Sequence, residues 1–112
     1  TSAHSAVAEA ALGKGSMAAV IDDYRTAPIN EKLRAMLGLL ETFTLRPDEL
    51  TAADIRAVLA AGVSREAIRD AFYVAFLFNT YDRLADTLGW ELPEDRYYGK
   101  AGSFLLKKGY QL

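Results

Sequence analysis

At 112 residues and 12.3 kDa the chain has the length of one domain, enough to bury about 60 to 70 % of its unfolded surface. Its 13 basic and 15 acidic side chains leave a net charge of −2, so no basic field is available to hold a phosphate backbone, and nucleic acid is not expected as a partner. With no cysteine and a single histidine, His4, the sequence offers no disulfide, no zinc-thiolate site and no ligand set for a metal, and no cofactor is expected.

The longest wholly apolar run, Ala71 to Phe78, falls far short of the roughly 20 residues that cross a bilayer. No charged-then-apolar leader opens the chain. The expectation is a soluble, cytoplasmic protein without a membrane partner, although a lack of cysteine fits the cytosol no better than other compartments.

In chain order, "TSAHSAVAEAAL" reads as an alanine-rich helix. Val7, Ala8 and Ala11 stand at i+3, i+4 and i+7 from His4, so the imidazole heads the apolar stripe, with Ser2, Ser5 and Glu9 on the other side. On these residues alone, a packed, hydrogen-bonded structural histidine is the plainer reading. Gly13 and Gly15 close this helix, and Ser16 is a candidate N-cap for a second, shorter helix from Met17 to about Tyr24, which Ala27-Pro28 ends. Asn30 caps a third helix, whose apolar face is marked by Leu33, Met36, Leu37, Leu40 and Thr44 and which Pro47 follows. Thr51 and Asp54 stand at capping-box spacing ahead of the stripe Ile55, Val58, Leu59, and Gly62 ends that helix.

Ser64 then caps the longest element, which runs to Leu88 with Gly89 after it. In "AFYVAFLF" the side chains of Phe72, Tyr73, Val74, Phe76, Leu77 and Phe78 point all round the helix, and a chain this short can cover about two sides of it. The expectation is self-association, most simply a two-fold homo-oligomer with Ala71 to Tyr81 at the subunit interface. Beyond it, Asn79, Asp82, Arg83 and Asp86 form either a polar network or a solvated face. A loop after Pro93 leads to a short basic helix from about Tyr97 to Lys108. No β period occurs, and the pattern predicts a single all-α domain over 1–112 with about five helices, one of them long and central.

The run "LRAMLGLLETFTLRPDELTAADIRAVLAAGVSREAIRDAFYVAFLFNTYDRLADTLGWELPE" resembles the second half of peroxidase-related proteins of the AhpD-like (alkylhydroperoxidase D) and carboxymuconolactone decarboxylase superfamily. The likeness is carried by "LT-x-x-D" at Leu50 to Asp54, "AAG-x-S" at Ala60 to Ser64, and "FN-x-x-x-R-x-AD-x-LG-x-EL" from Phe78 to Leu92. "DYRTAP" at Asp23 to Pro28 is also similar to the family's linker.

The resemblance implies an AhpD-like helical fold and gives His4 a role. Redox-active members carry C-x-x-C-x-x-x-H at the start of a helix, and His4 matches the motif histidine, with Thr1 to Ala3 in place of the spacer. The chain then corresponds to the C-terminal part of a longer protein, beginning just after the cysteine pair and lacking it. By this likeness the function is reduction of small hydroperoxides by a C-x-x-C pair that an external dithiol resets, with His4 as catalytic proton shuttle. Two alternatives stand beside it. One is base-catalysed decarboxylation of a muconolactone, against which the histidine of that branch is replaced around Asp54; the other is a non-catalytic helical oligomerisation scaffold.

Overall fold

A computed structural model of the chain describes residues 2–91 and 95–109. Six α-helices and one 3-10 turn make it up, and no strand occurs among the described residues: α1 Ser2–Leu12, α2 Ser16–Asp23, α3 Glu31–Leu45, the 3-10 turn Pro47–Glu49, α4 Ala52–Ala60, α5 Arg65–Leu88 and α6 Asp95–Lys108. The fold is all-α, with six helices where about five were expected; the short second helix, expected from Met17 to about Tyr24, runs Ser16–Asp23. The final helix starts at Asp95, two residues before the expected Tyr97, and the loop expected after Pro93 lies outside the described residues. None of the described helices is long and apolar enough to cross a membrane.

The helices gather into two compact units, Thr1–Ile29 with Glu91–Leu112, and Asn30–Trp90. In the first, α1 packs against α6 and α2. The start of α2 departs from the sequence expectation. Its N-cap is Gly15, held at φ 84 with no side-chain cap of its own, a conformation that costs a residue with a Cβ and is free for glycine. Ser16 is instead a buried helical residue whose hydroxyl donates back to the Leu12 carbonyl at 3.0 Å. The cap comes from α1: the Glu9 carboxylate accepts from the Gly15 N–H at 2.7 Å and the Met17 N–H at 2.8 Å, satisfying amides that the helix start leaves without a partner and placing negative charge at the positive end of the dipole.

In the second unit α3 lies against both α4 and α5, and the three starts are capped as their sequences predict. The Asn30 side chain accepts from Leu33 N–H at 2.8 Å and that of Ser64 from Ala67 N–H at 3.1 Å, while Thr51 and Asp54 form the reciprocal capping box. Met36 and Leu39 of α3, Val58 of α4 and Ile68 of α5 are the buried core. Leu39, which the expected stripe omits, is only 3 % exposed, whereas Leu33 and Leu37 are half-buried and Thr44 is exposed. The α3 face that meets its neighbours is therefore turned toward Met36, Leu39 and Phe43, and the Phe43 ring meets Phe72 edge-on at 4.9 Å between centroids, a favoured aromatic geometry. Gly62 closes the α4–α5 corner at φ 92, where an added Cβ would stand 3.1 Å from Lys32 Cε.

Candidate functional site

His4 lies in the first turn of α1 and is half-buried, as are Val7 and Ala8, while Ala11 at the far end of the same stripe is exposed. Helical register puts Glu9, the one carboxylate in α1, roughly 140° round the helix from His4, and both of its oxygens are engaged by the start of α2. The imidazole and this carboxylate therefore do not form a dyad. The chain has no thiol, and among the described residues no three His, Cys, Asp or Glu side chains gather as metal ligands.

The other polar residues singled out in the sequence lie in the second unit, on α5. Asn79 is half-buried, and its Nδ2 donates to Thr44 Oγ1 of α3 at 3.2 Å. It is thus a tie between helices, with one known partner across the interface. Asp82, Arg83 and Asp86 are exposed, and no ion pair joins them among the described residues, so the solvated-face reading holds for these three. Lys107 and Lys108 occupy the last turn of α6, where positive charge is favoured by the helix dipole.

Asp54 is a titratable group displaced from its ordinary range. The Thr51 hydroxyl, donating to Asp54 Oδ2 at 2.8 Å, and then the Thr51 N–H, also at 2.8 Å, hold its carboxyl below the usual value. The cause is structural: hydrogen bonds to the charged form favour it, and the pair starts α4.

The second unit also contains two open cavities. One of about 380 Å³ is lined by Ile55, Ile68, Phe72 and Tyr73 together with Arg65 and Arg69; the Arg69 guanidinium is engaged by Asp70 at 3.0 Å. Another, of about 180 Å³, lies between α3 and α4 beside Gly38, Thr42 and Asp54. Neither is lined by the histidine. The capping role of Glu9 escaped the sequence reading because the partners are six and eight residues away, beyond the three-residue spacing by which caps are recognised.

No family model, no curated protein and no solved structure matches this chain.

Proposed function

We propose that the chain is the histidine-bearing helical part of an AhpD-like protein that reduces small hydroperoxides, its C-x-x-C thiol pair lying outside this sequence. The observation that carries the reading is the place of His4 in the first turn of a helix, half-buried at the head of the stripe it shares with Val7 and Ala8. A cysteine four residues ahead of it would lie one turn away on the same side. There the imidazole takes the thiol proton, and the thiolate attacks the distal peroxide oxygen, giving a sulfenic acid and, after the proton is returned, an alcohol. The second thiol condenses with the sulfenic acid, releases water and closes a disulfide, which an external dithiol reduces by exchange.

Placing Cys-x-x-Cys directly before Thr1 tests this. With a dithiol donor and an alkyl hydroperoxide, the extended chain is expected to turn over, and His4→Ala in it to lower the rate by about 10²-fold or more. The unextended chain, having no thiol, is expected to be inactive. No turnover in the extended chain, or a rate indifferent to His4→Ala, overturns the reading.

A non-catalytic scaffold is the second reading, favoured by one observation: Tyr73, Phe76 and Leu77 of α5 are each at least 60 % exposed, more apolar surface than a lone chain needs.

A further inference from the structure

The cavity of about 380 Å³ at the start of α5 sets cations beside an apolar wall: Ile55 of α4 and Ile68 and Phe72 of α5 line it together with Arg65, Arg69 and Tyr73. Ile68 belongs to the buried core and Phe72 is held edge-on by Phe43, so the wall is fixed before anything binds. The volume lies near the lower end of the about 300–1,000 Å³ of small-ligand sites, room for one ring or a short alkyl chain.

The two arginines stand where the helix gains little from them. Arg65 is the first residue of α5 and Arg69 follows one turn later. Positive charge is disfavoured at a helix N-terminus, and like charges four residues apart repel; Glu66 in the same turn offsets part of that cost. Arg69 is answered by its neighbour, its Nε and Nη2 donating to Asp70 Oδ1 at 3.1 and 3.0 Å. Arg65 makes no ion pair among the described residues. At 100° per residue, Glu66 and Asp70 stand about 100° and 140° round the helix from Arg65, on the side away from Ile68, and neither lines the cavity.

We infer that this cavity binds a small monocarboxylate with an apolar body, such as an aryl-substituted short-chain acid. The Arg65 guanidinium pairs with the carboxylate, and Ile55, Ile68 and Phe72 cover the body. Charge complementarity selects an anion, and the planar fork of a guanidinium matches the two oxygens of a carboxylate. One unpaired cation balances one negative charge, which favours a monocarboxylate over a doubly charged phosphate ester. The apolar wall selects an organic acid over an inorganic ion. Once seated, the carboxylate lies at the positive end of the α5 dipole and relieves the repulsion between the arginines. The inference is independent of the peroxidase reading, whose histidine lies in the other unit.

The chain has four isoleucines, Ile21, Ile29, Ile55 and Ile68, so methyl NMR of the intact protein reads the site against internal controls. Titration with 3-phenylpropanoate is expected to shift the Ile55 and Ile68 methyls saturably and to leave Ile21 and Ile29 in place. Acetate, which lacks the apolar body, and 3-phenylpropanamide, which lacks the charge, are expected to bind at least about tenfold more weakly. Arg65→Gln is expected to weaken 3-phenylpropanoate by at least about tenfold and, without ligand, to keep the unfolding midpoint or raise it slightly; Arg83→Gln is expected to change neither. No saturable shift of Ile55 and Ile68 by about 10 mM, equal binding of the amide, an affinity indifferent to Arg65→Gln, or a loss of stability in that variant without ligand overturns the proposal.

Discussion

One helix, α5, has an apolar side that its own unit seals and another that it leaves open, and composition does not tell them apart. Ile68 is 5 % exposed and Leu77 is 64 % exposed, yet they are residues of nearly equal hydrophobicity nine positions apart on the same rod of roughly 36 Å. What separates them is the rotation of each about the helix axis relative to α3 and α4. Apolar residues are a demand for cover, and the angle at which they stand determines whether the same chain or something else meets it.

The sharpest way to break this comparison is to make the same truncation on both sides. Ile68→Ala is expected to cost about 2–5 kcal/mol, because it removes buried methyl groups and leaves a hole that the core fills only in part. Leu77→Ala is expected to change stability by less than about 0.5 kcal/mol. Denaturant midpoints for the two variants give the answer, and similar losses would mean that the open side is not open. A smaller effect is expected at the edge of the sealed side. Asn79→Leu leaves Thr44 Oγ1 without its 3.2 Å donor, but water reaches both groups, so a loss of about 0.5–1.5 kcal/mol is expected.

The smallest effect is a pH dependence at the start of α4, in the same unit. The carboxyl of Asp54 is held below its ordinary value by the Thr51 hydroxyl, then by the Thr51 N–H. Its contribution is therefore present in full above about pH 4, the unfolded value, and fades as pH falls through the lower folded one. In acid titrations of unfolding, wild-type protein is expected to keep a constant lead over Asp54→Asn near neutrality and to lose that lead below about pH 4. A lead that persists at the acid end would show that the charge is irrelevant to the start of α4.

Features that depend on three or four consecutive residues were legible in the sequence. Asn30, Ser64 and the Thr51–Asp54 pair act through neighbours within one turn, and Gly89 stops α5 where expected. The features that differed depend on more distant partners. Ser16 lost its cap role because α2 begins one residue earlier, with Gly15 at the N-cap and Glu9 of the preceding helix accepting from the Gly15 and Met17 amides, and Leu39 entered the core because α3 is rotated toward Phe72 by contacts that its own period does not encode. For the candidate site, the first-turn placement of His4 was readable from spacing, whereas its chemistry requires a sulfur that this chain does not contain.

The Glu9 tie makes the corner between α1 and α2 a measuring device for chain length. Its two carboxylate oxygens meet amides on either side of Ser16, and the intervening turn from Gly13 to Gly15 is just long enough to bring them there. Many substitutions at Lys14 leave that span unchanged, since its side chain takes no part in the tie. A single inserted residue does not: it carries the Met17 amide past the carboxylate and leaves α2 to begin without a cap. In most surface turns an insertion is tolerated more readily than a change of chemistry at a key residue; at this one the order is reversed, and the number of residues is the specification.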